Sequence, residues 1–157
     1  PFYNGKSPHA IASKRLEKQK LLGIVPPTAK LGMAGKFNPE GYGKTSAKRK
    51  DYIAECMAAY AAQIAIMDRG IGRILASLER HRLSDNTIVM FLSDNGATAE
   101  IPQNNKNKKT TLPTGPLGEV GCRDGYGPMW AAVSNTPYRQ YKIETFDGGL
   151  SAPFIIR

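Results

Sequence analysis

Cysteine, histidine and tryptophan are scarce in this sequence. Its 157 residues contain two cysteines (Cys56 and Cys122), two histidines (His9 and His81) and one tryptophan, Trp130. Cysteines and histidines isolated from one another in this way do not form the ligand set of a zinc site, and cysteine pairing cannot be judged from sequence. There is also no run of about 18 apolar residues, so we expect no membrane span.

Acidic residues are few relative to basic ones: 13 Asp and Glu against 22 Lys and Arg, for a net charge of +9. Much of the excess lies within residues 14–50, and a second group consists of Lys106, Lys108 and Lys109. Such a field could attract nucleic acid or an anionic substrate. No aromatic residues alternate with the lysines as a stacking platform requires, and no nucleic-acid-binding motif is present. We therefore favour a solvated basic surface and expect no nucleic-acid partner.

Two helices are predicted in the first half of the chain. Residues 11–22 suit a short amphipathic helix that ends at Gly23. Ser46 is a suitable N-cap for a second, long helix, which is predicted to run from about Ala47 to His81.

The long helix carries one apolar stripe, which predicts that this face packs against a core. Cys56 lies near the stripe and is predicted to be a buried free thiol. Gly70 and Gly72 weaken a helix locally, which suggests close packing against a neighbouring element. The stripe consists of Ile53, Met57, Tyr60, Ile64, Met67, Ile71, Ile74 and Leu78.

Two apolar stretches predict strands, at residues 87–92 and 150–156. Because the first is apolar throughout, we expect it to be covered on both faces, and the second is predicted to be buried as well. A long helix followed by such a strand is half of a βαβ unit, so the fold class is α/β. Residues 98–130 are predicted to be a long irregular loop, in which Trp130 suits a pocket mouth and a core equally well.

The turn after the first strand carries candidate metal ligands. Asp94 and Asn95 offer a carboxylate and an amide oxygen, which suit a hard cation such as Ca²⁺ or Mg²⁺. Ligands of open α/β sheets lie at the carboxyl ends of strands, where this pair stands. Ser-Asp-Asn-Gly is equally good turn chemistry, and from these four residues alone a plain turn is favoured.

The surrounding motifs carry a resemblance to a known family. The chain has M-D-R-G-I-G-R-I-L at 67–75, D-N-T-I-V-M-F-L-S-D-N-G-A at 85–97, N-T-P-Y-R-Q-Y-K at 135–142 and G-G-L-S-A-P-F-I-I at 148–156. In this order and spacing the motifs resemble the sulfatase family, within the alkaline-phosphatase-like superfamily. The match covers roughly residues 50–157, and residues 1–31 match more loosely.

The resemblance implies part of an alkaline-phosphatase-like α/β domain, with a mostly parallel central sheet flanked by helices. We expect the chain to be an internal, incomplete piece of that catalytic domain. Residues 1–45 would be connector and loops, residues 46–97 the helix, strand and metal-binding turn, and residues 98–157 the pocket loop, lysine segment and Gly-Gly strand.

The resemblance also implies roles for three residues. Asp94 and Asn95 match two ligands of a single Ca²⁺, whose remaining ligands would lie outside this sequence. Lys142 matches a lysine that contacts a sulfate oxygen, with Arg139 as a competitor for that role. Phe146 and the aspartate after it depart from the His-Glu that often precedes the glycines.

The identity of Asn95 discriminates within the superfamily. Phosphatases of this fold typically have Asp-His at this position, because they bind a second transition metal through imidazole. An amide oxygen suits hard cations instead, so Asp94 followed by Asn95 favours a sulfatase. Phosphonate monoester hydrolases share the single-metal arrangement and are not excluded.

The nucleophile is not found in this sequence. Sulfatases use a formylglycine made from Cys or Ser in a C/S-x-P/A-x-R motif, and neither Cys56 nor Cys122 lies in one. The resemblance therefore implies that the whole protein hydrolyses a sulfuric ester, either an aryl or a carbohydrate sulfate. The formylglycine would lie upstream of this sequence, and we expect the isolated chain to be inactive. Alternatives are a phosphonate or phosphate ester hydrolase of the same superfamily, and a non-catalytic sulfatase-like domain that binds polyanions. Family analogy suggests a periplasmic, secreted or lysosomal location.

Overall fold

The computed structural model describes residues 2–32, 43–100, 117–119, 122 and 124–157. The group Lys106, Lys108 and Lys109 lies outside these residues. None of the described helices combines the length and apolar character needed to cross a membrane. The elements are, in chain order, α1 (Pro8–Leu21), α2 (Ala47–Arg80), a 3-10 turn (Ser84–Asn86), β1 (Met90–Leu92), α3 (Gly127–Ser134), α4 (Asp147–Leu150) and β2 (Phe154–Ile156).

The structure confirms both predicted helices. α1 starts at Pro8, three residues earlier than predicted, since proline is compatible with the first turn of a helix. The chain leaves α1 through Gly23, whose φ is +69°. Ser46 caps α2, because its hydroxyl accepts a hydrogen bond from the Arg49 N–H at 3.4 Å. α2 ends one residue before His81.

The core forms where α1, the start of α2 and α3 meet. Trp130 and Val133 of α3 and Ala12 of α1 are 0% exposed, and Met57 of α2 is 2% exposed. The ring of Tyr3 meets Trp130 edge-on, with 5.3 Å between ring centroids. Trp130 is therefore a core residue and does not line a pocket mouth.

The prediction of irregular structure up to residue 130 is wrong at its end, where α3 begins. An isolated helix of this length is unstable, so its sequence alone predicts a helix only weakly. Burial against α1 stabilises α3. Arg15 of α1 donates a hydrogen bond to the carbonyl of Val133 at 3.0 Å. Gln19 of α1 donates another to the carbonyl of Thr136 at 2.8 Å.

The two strands pair antiparallel, with Phe91 opposite Ile155. They are shorter than the predicted 87–92 and 150–156, and Leu150 at the start of the second prediction belongs to α4 instead. The expected cover on both faces is wrong for the described chain, since Phe91 is 36% and Ile155 is 61% exposed. Two strands beside one long helix leave most of the sheet open. The mostly parallel arrangement of the complete sheet stays a prediction.

The apolar stripe of α2 reaches the core only near its start, within the described part of the chain. Ile53 and Met57 are buried, whereas Ile74 is 62% exposed. Farther along, the stripe borders a cleft of about 280 Å³ between α2 and the sheet. Among the described residues, none lies within 4 Å of a Cβ added at Gly70 or Gly72, so the predicted close packing at these glycines is wrong for the described part of the chain.

Candidate metal centre

The segment that follows β1, residues 93–97, is called the Asp94 turn below. The Ser93 hydroxyl donates a hydrogen bond to the backbone carbonyl of Asn95 at 2.9 Å, which closes the turn. Asp94 is exposed and Asn95 is half-buried. Both line a cleft of about 610 Å³ beside β1. The two candidate ligands therefore lie on the wall of a cavity large enough for an ion and a substrate group.

The donor set of the Asp94 turn suits a hard cation. A carboxylate and an amide carbonyl supply oxygen atoms, and neither side chain hydrogen-bonds to another described residue. Calcium takes about six to eight oxygen ligands. The described residues contain no group of three or more His, Cys, Asp or Glu that could hold a metal. Asp94 and Asn95 therefore fit part of a calcium shell, and further ligands are needed to complete it.

Glycines allow the Asp94 turn to lie directly against α4. The Gly96 N–H donates a hydrogen bond to the Gly149 carbonyl at 3.1 Å. A Cβ on Gly96 would collide with the carbonyl oxygen of Gly148, and a Cβ on Gly148 would collide with those of Arg139 and Gln140. Only glycine fits at such crossings. Gly148 and Gly149 thus allow close approach between α4 and neighbouring backbone.

Residues 138–144, called the Lys142 loop below, contact the same turn. The Lys142 N–H donates a hydrogen bond to the Ala97 carbonyl at 3.0 Å. The Lys142 side chain is half-buried and forms no ion pair with a described carboxylate. The structure thus brings the backbone segments of Asp94, Asn95 and Lys142 together, without an ion pair between the ammonium and Asp94.

Arg139, the competitor for the role of Lys142, has a neighbour of its own. Its guanidinium lies over the Phe146 ring, 4.1 Å from the ring centroid. This stacking holds the guanidinium within the loop and gives it a structural role. Lys142 has no comparable partner among the described residues.

Asn135 belongs to the site, although its residue type did not single it out. It follows α3, and its side-chain amide hydrogen-bonds to Ala97 and to Gln140. These bonds connect the Asp94 turn with the Lys142 loop. Its one signal in the sequence is its place as the first residue of N-T-P-Y-R-Q-Y-K, at residues 135–142.

Comparison with protein families shows which family this chain belongs to. The sulfatase family profile matches residues 13–157, nearly the entire chain. The chain belongs to the sulfatase family. Membership implies the alkaline-phosphatase-like α/β fold, as the motifs predicted.

Several curated relatives are similar to this sulfatase chain. A sulfatase of Schizosaccharomyces pombe, described as uncharacterized, is 30% identical over 165 residues, covering 99% of this chain and 30% of that protein. An arylsulfatase of Klebsiella aerogenes is 33% identical over 151 residues, covering 91% of this chain and 32% of that protein. The steryl-sulfatase of Rattus norvegicus is 33% identical over 99 residues, covering 63% of this chain and 13% of that protein. The chain thus spans between 13% and 32% of the length of these relatives.

The Lys142 loop contains backbone strain that a glycine would relieve. Ile143 has a φ of +83°, a left-handed conformation that costs an L residue about 1–2 kcal/mol. Its side chain is 79% exposed, so little burial is lost on its removal. We predict that Ile143→Gly raises the free energy of unfolding by up to about 1 kcal/mol, seen as a higher urea midpoint at unchanged slope.

Ile88 supplies the matched control for Ile143, because it is 72% exposed and is not among the residues with positive φ. Ile88→Gly should lower the urea midpoint, since glycine adds freedom to the unfolded chain without relieving strain. Equal shifts in the two variants would show that the conformation of Ile143 is not strained.

A third cavity, of about 290 Å³, lies beside α2 and is lined by Cys56, Tyr60, Cys122 and Tyr126, among others. Both cysteines are free, which confirms the prediction for Cys56. Burial raises the pKa of the Cys56 thiol and raises the pKa of Tyr126 to about 12. Both groups are therefore neutral at pH 7, and Cys56 is not an activated nucleophile.

Proposed function

We propose that the full-length protein is a sulfuric ester hydrolase in which this chain supplies three functional side chains. Asp94 and Asn95 are ligands of one Ca²⁺, and Lys142 contacts an oxygen of the bound sulfate ester. Membership of the sulfatase family and similarity to an arylsulfatase support this activity. The observation that carries the assignment is the 3.0 Å hydrogen bond from the Lys142 N–H to the Ala97 carbonyl, which joins the Lys142 loop to the Asp94 turn.

The charges of these side chains suit the binding of a sulfate ester. A calcium ion at Asp94 and Asn95 would offset the negative charge of the ester and polarise its oxygens. The Lys142 ammonium is a compact cation with three donors, which suits contact with an oxyanion and stabilisation of the leaving oxygen. Because no described carboxylate pairs with Lys142, its charge is available to the substrate.

The rest of the catalytic machinery belongs to parts of the protein other than these 157 residues. The proposed nucleophile is a formylglycine that lies outside this sequence, since neither Cys56 nor Cys122 lies in the motif from which it is made. Two further aspartates would complete the calcium shell. In the proposed domain β1 joins a mostly parallel central sheet, which places the Asp94 turn at the edge where ligands of such sheets bind.

The alternative is a phosphonate or phosphate ester hydrolase of the same superfamily. Asn95 weighs against a two-metal phosphatase, because its carbonyl oxygen does not replace an imidazole nitrogen as a ligand of a transition metal. It does not distinguish a sulfate ester from a phosphonate monoester, since both suit a single hard cation. Substrate profiling is therefore part of the test.

Hydrolysis by the full-length protein tests the proposal. We expect faster turnover of p-nitrophenyl sulfate than of the matching phosphate or phosphonate. Chelation with EGTA should lower the rate at least about tenfold, and added CaCl₂ should restore it, because the ion offsets charge on the ester. A preference for phosphonate or phosphate would favour the alternative. Turnover that survives complete removal of calcium would contradict the metal assignment.

A further inference from the structure

The side chain of Asn135 joins the two segments that carry the proposed site. Its Oδ1 accepts a hydrogen bond from the Ala97 N–H at 3.0 Å. Its Nδ2 donates one to the Gln140 carbonyl, also at 3.0 Å. Ala97 lies two residues after Asn95, and Gln140 lies two residues before Lys142. These two bonds are called the Asn135 bridge.

The Asn135 bridge requires a donor and an acceptor on one short side chain. The Ala97 N–H can only donate and the Gln140 carbonyl can only accept, so the orientation of the Asn135 amide is determined. An aspartate at this position would still accept from Ala97, but at neutral pH it has no proton for Gln140. An alanine would make neither bond.

The backbone around Asn135 is itself anchored to the core. Its N–H donates to the Ala131 carbonyl at 3.2 Å, and its carbonyl accepts from the Tyr138 N–H at 2.8 Å. Two residues earlier, Val133 is 0% exposed and its carbonyl accepts the hydrogen bond from Arg15 of α1. The Asn135 bridge therefore connects both site segments to the packed part of the chain.

We infer that Asn135 is a positioning residue, which sets the placement of Lys142 relative to the calcium ligands Asp94 and Asn95. This inference rests on the proposed function. Asn135 acts through the Ala97 amide and the Gln140 carbonyl, and not by contact with substrate. The hydrogen bond between the Lys142 N–H and the Ala97 carbonyl completes a closed ring of three interactions. Mutation of residues that support ligands in this way typically lowers metal affinity or activity about 10–100-fold.

Asn135→Asp in the full-length protein separates the two halves of the bridge. The nearly isosteric carboxylate keeps the bond from Ala97 and repels the Gln140 carbonyl, so the Lys142 loop alone should loosen. We expect kcat for p-nitrophenyl sulfate to fall about tenfold or more. The Kd for Ca²⁺, measured by titration calorimetry with CaCl₂, should stay within about threefold of wild type because the Asp94 turn keeps its bond.

Asn135→Ala removes both halves of the bridge. Besides the loss of kcat, we expect the Kd for Ca²⁺ to rise about tenfold. The Ala97 amide should exchange with solvent at least about tenfold faster, since its acceptor is gone. Asn86→Asp is the matched control. It adds the same charge at an exposed asparagine before β1 and should leave kcat, Kd and exchange unchanged.

The inference is overturned if both Asn135 variants keep the wild-type kcat and Kd for Ca²⁺, or if they lose only thermal stability while the folded protein keeps both constants. If Asn135→Ala does not fold, Asn135→Asp decides alone, and an unchanged kcat overturns the inference. Asp94→Ala detects failure of the proposed function separately. Calcium binding that is unaffected by Asp94→Ala would remove the metal assignment, whatever Asn135 does.

Discussion

Replacing Gly96 by alanine is expected to lower the free energy of unfolding by about 3 kcal/mol or more and to abolish the proposed calcium binding at the Asp94 turn. The added Cβ would collide with the carbonyl oxygen of Gly148, which belongs to the backbone. Overpacking costs about 1–3 kcal/mol where side chains can shift. Here relief requires the turn to separate from α4, which breaks the 3.1 Å hydrogen bond between Gly96 and Gly149.

Gly72 provides the matched control for Gly96, because the same methyl group is added where no other described residue lies within 4 Å. It is an exposed residue inside α2, so Gly72→Ala should stabilise the protein by up to about 1 kcal/mol. Urea unfolding followed by circular dichroism measures both changes in the full-length protein, and calorimetry with CaCl₂ measures metal binding. Equal midpoints for wild type and Gly96→Ala would show that the turn does not lie against α4.

The candidate ligands of the proposed site can be picked out from sequence, whereas the residues that support them cannot. Asp94 and Asn95 offer a carboxylate and an amide directly after an apolar strand, which is a local pattern. Asn135 gives no such signal, because asparagine is also an ordinary turn residue. Its partners lie 38 residues before it and 5 residues after it, so their meeting depends on tertiary structure. Such supporting residues become visible only once the segments are placed in space.

The same division applies to the fold. Ser46 and Gly23 predicted helix ends correctly, because capping and left-handed termination involve only neighbouring residues. Burial was predicted less well, since it depends on what covers each face. The expected cover of the first strand is not found in the described chain, where Leu92 is 58% exposed. The chain spans 30% and 32% of the length of two of its curated relatives.

Replacing Lys142 by alanine is expected to lower kcat/KM for p-nitrophenyl sulfate about 10²–10³-fold in the full-length protein. Removal of one group that stabilises developing negative charge typically costs about 2.7–4 kcal/mol of transition-state stabilisation. Lys142 has no ion-pair partner among the described residues, so its charge is not already neutralised. Lys142→Arg should recover part of the rate, since it keeps the positive charge but changes its geometry.

Arg139 is the matched control for Lys142, because it is a cation in the same loop, three residues earlier. Its guanidinium stacks over Phe146 at 4.1 Å, a contact worth about 0.5–1 kcal/mol at an exposed site. Arg139→Ala should therefore reduce stability by about that amount and leave kcat/KM within about threefold of wild type. A large loss of kcat/KM in Arg139→Ala, with a small one in Lys142→Ala, would assign the sulfate contact to Arg139 instead.

The calcium affinity of Lys142→Ala distinguishes two roles of the Lys142 side chain: contact with the sulfate ester, and structural support of the metal site. Lys142 is joined to the Asp94 turn through its backbone N–H, which donates to the Ala97 carbonyl at 3.0 Å. Substitution of the side chain keeps that bond, so Lys142→Ala should bind Ca²⁺ as wild type does while losing kcat/KM. A parallel loss of calcium affinity would mean that the side chain also holds the turn in place. The two constants, measured on one variant, thus separate the electrostatic role of Lys142 from the structural role of the loop that carries it.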